Sequence, residues 1–479
     1  MTPWQDIFIG ILSVGYFLLI ATTIIVVVLE NRQPAKTVAW VLLLVGVPVV
    51  GWILFYFFGQ NIRKERYIGK RAYDLLTQKV PSSGVTEPSE AEQRKYGRLI
   101  KFNRKRARAK LTSDNQVELL WNGTAMLTAL LKDIEAAKHH IHLQTYIIEE
   151  DEVGSAVVKA LVGKAQQGIK VRLLYDDVGC WRMRQEFLDP LRRAGGETQA
   201  FMPVHFRRLT HRANYRNHRK IAVIDGKVGY MGGMNLAERY LSKKGGEWRD
   251  AHLRVEGGAV TELQRIFVSD WYFTTRELPY DAQYFPAHFS TQAPDAQGVQ
   301  MQIVLANPVA RYPHIMYALT WMIQNAKRYL YLQTPYFMPS EVVMQALRTA
   351  ALSGVDIRIM IPEKPDSKIL RWGNDSYIED ALQAGIRIYM YENGFLHSKC
   401  AVADDDWCTV GSSNMDQRSF DNNFEVNAFI YDDVVAKEVK TQFFVDAEHC
   451  RELSIEEWRE RPLYKKCLES ATRIISPIL

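Results

Sequence analysis

The octapeptide HRKIAVID occupies residues 218–225, and a related one, HSKCAVAD, occupies residues 397–404. Both contain His, Lys, Ala, Val and Asp at the same offsets within the octapeptide. Longer stretches repeat too: AKHHIHLQTYI at 137–147 matches AKRYLYLQTPY at 326–336, and GIKVRLLYDD at 168–177 matches GVDIRIMIPE at 354–363. An internal duplication of this length predicts two similar domains.

Helical and extended patterns alternate around both copies. In the first copy, helices are predicted over 125–138 and 155–168, with strands over 139–148 and 169–177. In the second, helices are predicted over 314–327 and 341–354, with strands over 328–337 and 355–362. The alternation predicts an α/β class with a largely parallel or mixed sheet. The Pro-rich stretch 278–298 predicts the seam, so that the domains span 111–285 (the first half) and 286–479 (the second half).

The repeated octapeptide carries side chains suited to phosphate chemistry. On a strand, residues i and i+2 point the same way, so His218 lies beside Lys220 and His397 lies beside Lys399. Lysines can hold the oxygens of an anionic phosphodiester and stabilise a five-coordinate transition state. One neutral imidazole can attack phosphorus, while a second, protonated one serves as acid and then base. Two histidines in opposite protonation states are needed, and each half supplies one.

Further polar residues follow each histidine at matching distances. Asn235 follows His218 at the same separation at which Asn414 follows His397, and they lie in Gly-Gly-Met-Asn and Gly-Ser-Ser-Asn respectively. Their amides are candidates for holding phosphate oxygens, together with the hydroxyl of Ser412. The first copy has Gly233 in place of that serine, which predicts that the two halves are not equivalent.

Carboxylates also recur in the two copies. Aligning WRDAHLRV with FEVNAFI places Asp250 opposite Glu425, with Glu247 as the second choice. A carboxylate on the far nitrogen of an imidazole fixes its tautomer and raises its basicity. Asp225 and Asp404, which close the octapeptides, have two interpretations: part of the active site, or residues that fix the turn after a strand.

The first sixty residues read as a membrane hairpin. Residues 7–29 carry no charge and are long enough to cross the hydrocarbon core as a helix, and a second apolar run covers 37–58. Five basic residues follow between 63 and 71, whereas the loop between the runs has two. The positive-inside rule therefore predicts a multi-pass membrane protein whose residues from 60 onward lie in the cytoplasm.

A basic linker is predicted over 61–110. Its last part, 94–110, carries nine Lys or Arg residues and no acid. We expect this run to hold the soluble domains against anionic lipid headgroups. Nucleic acid binding and a solvated helix face are the alternatives.

The five cysteines form no Cys-x-x-Cys pair, and their number is odd. This pattern argues against a zinc site or a disulfide framework and suits a reducing compartment.

The doubled His-x-Lys-x4-Asp motif with Gly-[Gly/Ser]-x-Asn resembles the signature of the phospholipase D superfamily. With the N-terminal hairpin and the tail RPLYKKCLESATRIISPIL, the chain resembles bacterial cardiolipin synthases over nearly its whole length. The resemblance implies two tandem phospholipase D-like α/β sandwich domains forming a pseudo-twofold pair. It also implies an active-site set of six residues: His218, Lys220, Asp225, His397, Lys399 and Asp404. The same resemblance implies no metal and no cofactor, which fits the absence of metal-ligand clusters in the sequence.

That family condenses two phosphatidylglycerol molecules into cardiolipin and glycerol. The resemblance therefore implies an anionic phospholipid partner rather than nucleic acid, and a phosphatidyl-histidine intermediate, with His218 favoured as the nucleophile. A membrane-bound phospholipase D releasing phosphatidic acid, and a nuclease, are the competing functions. The sequence leaves open the oligomeric state and a role for phosphatidylethanolamine.

The C-terminal tail and an arginine-rich segment each have two possible interpretations. The tail 461–479 either lies in the membrane interface or packs on the second domain as an amphipathic helix. The arginines of 205–219 either bind acidic headgroups or form a solvated rim.

Overall fold

A computed structural model describes residues 3–29, 34–55, 59, 84–204, 215–241, 248–286 and 298–476. The predicted seam at 278–298, the basic residues at 63–71 and the arginine-rich stretch before Tyr215 lie partly or wholly outside these ranges.

The N-terminal helices form a compact unit of their own. The helix α1 (Pro3–Leu29) contains the apolar stretch Ile7–Leu29, 23 residues with a mean hydropathy of 2.6, which is long enough to cross a membrane. The buried apolar side chains described in this unit are Ile20, Val27, Leu44 and Phe55.

The second predicted span differs from expectation. It is divided into α2 (Pro34–Gly46) and α3 (Pro48–Leu54), with Val47 in a non-helical conformation between them. Pro48 has no amide hydrogen and disfavours helical geometry at the residue before it, which accounts for the break. The last residues of the predicted span, 56–58, lie outside the described ranges.

The rest of the chain is a mixed α/β structure with twenty described strands, of which sixteen form one sheet and four form two small two-stranded sheets. The strands of the first half are β1 (Leu111–Leu120), β2 (His140–Thr145), β3 (Lys170–Asp176), β4 (Glu197–Phe201), β5 (Arg216–Asn217), β6 (Ile221–Ile224), β7 (Val228–Gly232), β8 (Trp248–Arg249) and β9 (His252–Glu256). Those of the second are β10 (Val299–Ala306), β11 (Tyr329–Gln333), β12 (Phe337–Met338), β13 (Asp356–Pro362), β14 (Arg387–Tyr391), β15 (Phe395–Leu396), β16 (Cys400–Ala403), β17 (Trp407–Gly411), β18 (Met415–Asp416), β19 (Asn423–Ile430) and β20 (Cys450–Glu452).

The two halves meet at an antiparallel pair of strands in the middle of this sheet. β1 pairs with β10, with Leu111 opposite Gln302. Outward from this pair the order is β9-β7-β6-β2-β3-β4 on one side and β19-β17-β16-β11-β13-β14-β20 on the other. The predicted strands over 139–148, 169–177, 328–337 and 355–362 correspond to β2, β3, β11 and β13.

Helices cover both faces of the sheet. They are α4 (Glu90–Phe102), α5 (Gly123–Ala136), α6 (Glu152–Gln166), α7 (Asp189–Arg193), α8 (Gly258–Thr275), α9 (His314–Asn325), α10 (Glu341–Leu352), α11 (Lys368–Gln383), α12 (Gln417–Asp421), α13 (Asp433–Ala447), α14 (Ile455–Arg459) and α15 (Leu463–Ile475). Alternate residues of a strand face opposite sides. Accordingly, Leu330 and Leu332 of β11 pack in the core with α10 and α11, whereas Tyr329 and Tyr331 pack in the core with α13.

Candidate active site

His218 is positioned by a strand of the opposite half. It follows β5, which runs parallel to the start of β19, and the His218 amide donates to the Phe424 carbonyl at 3.0 Å. The imidazole Nδ1 lies 3.0 Å from both carboxylate oxygens of Glu425 and 3.1 Å from the Ser412 carbonyl. All three oxygens accept, so Nδ1 carries the hydrogen and Nε2 keeps its lone pair.

His397 has the reciprocal arrangement. It follows β15, which pairs with β8 of the first half, and its amide donates to the Arg249 carbonyl at 2.7 Å. Its Nδ1 lies 2.5 Å from Asp250 Oδ2. The other oxygen of Asp250 accepts from the Ala251 amide at 2.7 Å. Each histidine is therefore paired with a carboxylate from the other half.

The lysines of the two motifs are buried beside the histidines. Lys220 Nζ donates to the His218 carbonyl at 2.6 Å, and Lys399 Nζ donates to the His397 carbonyl and lies 2.9 Å from His397 Nδ1. Their charges act across the boundary between the halves, since Lys399 lowers the pKa of His218 and Lys220 lowers that of His397. The four groups thus share one electrostatic environment.

Burial sets the protonation states of this cluster. Burial, only partly offset by Glu425, lowers the pKa of His218. Burial, reinforced by Lys399, lowers the pKa of His397 to about 3. Burial also lowers the pKa of Lys220 to about 7 and that of Lys399 to about 8.

On the two carboxyl groups, burial acts in the opposite direction and raises the pKa, but the neighbouring positive groups outweigh it. Burial raises the pKa of Asp250, but Lys399 and His397 more than compensate, and the net shift is downward. The pKa of Glu425 is likewise raised by burial and lowered overall, chiefly by His218. Near neutral pH the site therefore holds two carboxylates, two neutral imidazoles and two lysines close to their titration range.

The two halves differ where the sequence has Gly233 and Ser412. Ser412 Oγ donates to Glu425 Oε2 at 2.5 Å. A Cβ at Gly233 would lie 2.2 Å from Asp250 Oδ1, so a serine there would displace the carboxylate. The first half thus pairs Asp250 with Gly233, and the second half pairs Glu425 with Ser412, at equivalent positions beside the histidines.

The predicted amides have different surroundings. Asn235 accepts from the Ile147 amide at 3.2 Å and donates to the Tyr240 hydroxyl at 2.8 Å. Asn414 is buried, and its Oδ1 has no hydrogen-bond partner within the described part of the chain. A phosphate oxygen would need the Nδ2 of Asn414, not this atom.

Asp225 and Asp404 lie at turns and bind backbone. Both have positive φ, 55° and 58°. Asp225 accepts from the amides of residues 138, 139 and 140 at 2.8–2.9 Å, and Asp404 accepts from those of residues 327, 328 and 329 at 2.7–3.1 Å. The described contacts of these carboxylates tie the turns to the starts of β2 and β11 rather than to the histidines.

Sequence reasoning missed the aromatic side chains around the histidines. The Tyr146 ring lies 4.8 Å from the His218 ring, and Lys220 Nζ lies 5.2 Å from the Tyr146 centroid. The Tyr240 hydroxyl lies 3.3 Å from His397 Nδ1, and the Trp248 ring lies 5.3 Å from that imidazole. Tyr146 and Tyr240 have no counterpart in the repeat that would have singled them out.

The remaining predicted residues take other positions. Glu247, the second choice for the carboxylate, lies outside the described residues. Of the arginines in 205–219, Arg216 and Arg219 are buried and paired with Asp176 and Asp270, at 3.3 and 2.5 Å. Among the residues that the structure describes, no group of three or more His, Cys, Asp or Glu is placed to hold a metal ion.

Comparison with known proteins agrees with the geometry. The family profile described as "Cardiolipin synthase, PLD-like domain" matches residues 130–271 and 319–446, and the profile "Phospholipase_D-nuclease N-terminal" matches residues 17–60. The chain is 40% identical to the major cardiolipin synthase ClsA of Bacillus subtilis (strain 168), over 98% of this chain and 99% of that protein. It is 38% identical to a cardiolipin synthase of Geobacillus kaustophilus, over 99% of this chain and 95% of that protein.

A solved structure supports the fold. Phosphatidylserine synthase from Haemophilus influenzae superposes with a TM-score of 0.58 at 14% identity, covering 76% of this chain and 95% of that one. At this identity the likeness concerns the fold alone. The family profile spans both halves and the relatives align over almost the full length, so this chain belongs to the cardiolipin synthase family of phospholipase D-like proteins.

Proposed function

We propose that this chain is a phosphatidyltransferase that condenses two phosphatidylglycerol molecules into cardiolipin and glycerol. One observation carries the proposal. Each imidazole has its Nδ1 held by a carboxylate of the opposite half, a contact that leaves the Nε2 lone pair of each ring for chemistry at phosphorus. The names of the aligned relatives point to the same activity.

In the first step His218 Nε2 attacks the phosphorus of one phosphatidylglycerol. The bond between phosphorus and the terminal glycerol oxygen breaks, and His397 gives that oxygen a proton. Glycerol leaves, and a phosphatidyl group remains on His218. The negative charge of the lipid phosphate, placed beside the imidazole, offsets the low pKa of His397 and lets it hold the proton that this step requires.

In the second step a terminal hydroxyl of another phosphatidylglycerol gives its proton to His397. The resulting oxygen attacks phosphorus, the phosphorus–nitrogen bond breaks and cardiolipin forms. One phosphodiester replaces another, so the exchange is close to thermoneutral and reversible. Neither step uses a metal or a cofactor.

The inequality of the halves supports His218 as the nucleophile. The Ser412 hydroxyl donates to Glu425 and takes up part of its negative charge, which weakens its hold on an imidazolium at His218. Asp250 has no such hydroxyl and lies closer to its histidine, 2.5 Å against 3.0 Å. This close carboxylate raises the pKa of His397 against the lowering by burial and by Lys399, and together with a bound lipid phosphate it stabilises the imidazolium that the acid role requires.

The remaining predicted residues support the charge on phosphorus. Lys220 and Lys399 neutralise the equatorial oxygens, and the amides of Asn235 and Asn414 assist them. His218 and His397 are 8% and 6% exposed, which limits access of water to the intermediate. Less water means less phosphatidic acid, the hydrolysis product.

We further infer a pseudo-twofold relation between the halves, with the site on its axis. The mirrored strand order about β1 and β10 and the reciprocal pairs β5–β19 and β8–β15 support this inference. Asp225 and Asp404 belong to the repeated motif and, on our proposal, hold its turns in position.

We propose that residues 7–29 and 37–58 form a membrane hairpin that places the catalytic domains on the cytoplasmic side of the bacterial inner membrane. The apolar length of α1 and the basic residues at 63–71 support this topology. The exposed basic side chains of 94–106 would then face anionic headgroups. A green fluorescent protein fused to the C-terminus should fluoresce, and alkaline phosphatase there should be inactive.

Purified full-length protein incubated with phosphatidylglycerol tests the activity. Thin-layer chromatography should show cardiolipin together with an equal amount of free glycerol. Phosphatidic acid as the main product would assign a phospholipase instead. Degradation of nucleic acid without lipid turnover would refute the proposal altogether.

A further inference from the structure

The C-terminal helix α15 (Leu463–Ile475) packs with its polar side inward. A helix on the surface of a soluble domain normally buries its apolar stripe and exposes its charges. Among the α15 side chains that the structure describes, those of Glu469 and Thr472 are buried, each 5% exposed, and Ser476, directly after the helix, is 4% exposed. The large apolar side chains Leu463 and Ile474 are 76% and 81% exposed.

Specific polar contacts hold this orientation. Arg461 makes a two-pronged ion pair with Glu469, at 2.6 and 3.1 Å. Arg473 donates to the Ser376 carbonyl at 3.0 Å and to Asp380 at 2.8 Å, both on α11. Rotating the helix to bury its apolar side would break these contacts and leave Glu469 without its arginine, which would cost free energy.

The exposed apolar residues form one stripe. At 100° per residue they occupy an arc of roughly 140°, continuous along more than three turns. Its members with described side chains are Leu463, Tyr464, Cys467, Leu468, Ala471 and Ile474, all exposed. Of the charged residues described in α15, Lys465 is exposed, whereas Glu469, the acidic residue of the helix, is buried.

We propose that this stripe, termed the α15 stripe, lies in the headgroup region of an anionic bilayer. The same chain carries the apolar helix α1, which is long enough to cross a bilayer. Exposed aliphatic side chains beside a tyrosine and a lysine match an interfacial helix, whose apolar side enters the acyl boundary while lysine reaches the phosphates. The proposal rests on the proposed function only for the identity of the lipid.

The stripe is linked to the active site through two layers of structure. α15 packs on α11, and Asn374 of α11 accepts from the Phe337 amide of β12 at 2.8 Å. β12 pairs with β18, which begins directly after Asn414. An α15 helix seated on the membrane surface would therefore hold the second half of the active site beside the lipid headgroups.

Cys467 provides a probe within the stripe, because three of the other cysteines are buried and Cys450 is half-buried. The full-length chain with Cys450→Ser is labelled at Cys467 with an environment-sensitive fluorophore and reconstituted into phosphatidylglycerol-containing vesicles. We expect quenching by lipids carrying a spin label near the headgroup, and iodide quenching roughly threefold weaker than at an aqueous control site.

The control is Val434→Cys in a chain that also carries Cys467→Ser and Cys450→Ser. Val434 is 68% exposed and belongs to α13, on the opposite face of the sheet. Equal iodide quenching at the two sites, without quenching by spin-labelled lipid, would overturn the proposal. Energy transfer between labels at Cys467, again without lipid quenching, would assign the stripe to a second copy of the chain and would also overturn it.

The same measurement on a His218→Ala chain separates this proposal from the proposed function. That variant should make no cardiolipin yet keep lipid quenching at Cys467. Conversely, the double variant Leu463→Glu/Ile474→Glu should lose lipid quenching. The matched pair Leu352→Glu/Val434→Glu, at positions 74% and 68% exposed on α10 and α13, should retain it.

Discussion

Glu425 lies on a strand of the second half, yet its carboxylate accepts a hydrogen bond from Nδ1 of His218 in the first half, 3.0 Å away. Asp250 of the first half makes the reciprocal contact to His397 at 2.5 Å. Neither half therefore contains a complete histidine–carboxylate pair. This exchange gives the duplicated motif a physical reason beyond the supply of two imidazoles.

Replacing Glu425 by glutamine tests whether the carboxylate contact between the two halves is needed for catalysis. The amide keeps the volume but removes the charge that holds the tautomer of His218, so kcat/KM for phosphatidylglycerol should fall about 10³-fold or more. Glu448→Gln, at an exposed position on the same domain, should leave the rate unchanged. Equal activity of the two variants would show that the contact has no catalytic role.

The roles of the histidines can be separated by trapping the intermediate. His397→Ala keeps the proposed nucleophile but lacks the acid, so it should accumulate a phosphatidyl adduct when given a phosphatidyl ester with a good leaving group. His218→Ala should form no adduct with the same compound. An adduct in His218→Ala alone would reverse our assignment.

The low pKa values of the two lysines predict how kcat/KM falls on the alkaline side of its pH profile. Burial lowers the pKa of Lys220 to about 7 and that of Lys399 to about 8. Only the protonated forms neutralise a phosphodiester, so kcat/KM should decrease as the pH rises through this range. Arginine stays charged in this pH range. In Lys220→Arg the decrease of kcat/KM should therefore move to higher pH, towards the pKa of Lys399, even if the maximal rate also changes. A decrease at unchanged pH would assign it to another group.

Asp225 should matter for stability rather than for chemistry. Asp225→Ala leaves three backbone amides without their acceptor, at a cost of about 2–4 kcal/mol in the free energy of unfolding. The folded fraction should keep most of its turnover number. Glu448→Ala serves as the neutral control, and a large loss of kcat at unchanged thermal midpoint would contradict this role.

The stabilisation by Asp225 has a defined pH dependence. Burial raises the pKa of its carboxyl, but the hydrogen bonds from residues 138–140 outweigh this and hold the pKa below its ordinary value. The stabilisation is therefore present at neutral pH and is lost as the pH falls below about 4. The gap in thermal midpoint between the native chain and Asp225→Asn should narrow in acid.

Substitutions at the matching positions Gly233 and Ser412 should differ in their effect on activity. A methyl group there would lie 2.2 Å from Asp250, so Gly233→Ala should push the carboxylate away from His397 and lower kcat about as much as Asp250→Asn. Ser412→Gly removes the hydrogen bond donated to Glu425 and the one accepted from the Val426 amide but leaves the Glu425 carboxylate in place, so kcat should fall by only about tenfold. Equal losses would mean that the halves are interchangeable.

Much of the architecture follows from local patterns in the sequence. The alternation of apolar residues placed β2, β3, β11 and β13 to within a few residues, because period 2 and period 3.6 are local properties of a chain. The hydropathy of 37–58 is continuous and does not predict the break at Val47, because the decisive feature is the single Pro48. Hydropathy measures transfer to lipid and is insensitive to one missing amide hydrogen.

The active site was only partly predictable. The duplicated histidines, lysines and carboxylates could be named because the repeat itself singles them out. Tyr146 and Tyr240 could not, because each contacts a histidine through the fold and neither is repeated. The arginines Arg216 and Arg219 could equally have faced solvent, and only the long-range pairs with Asp176 and Asp270 decide that they are buried.

The sequence by itself determined the duplication, the chemistry of the motif and the family, because these depend on residue identity and spacing along the chain. Only the tertiary structure decided that the histidine–carboxylate pairs cross between halves, that Asp225 binds backbone, and that α15 turns its apolar side outward. Those outcomes depend on which distant strands and helices come into contact. Hydrogen bonds between residues in opposite halves of the chain leave no periodic trace in the sequence.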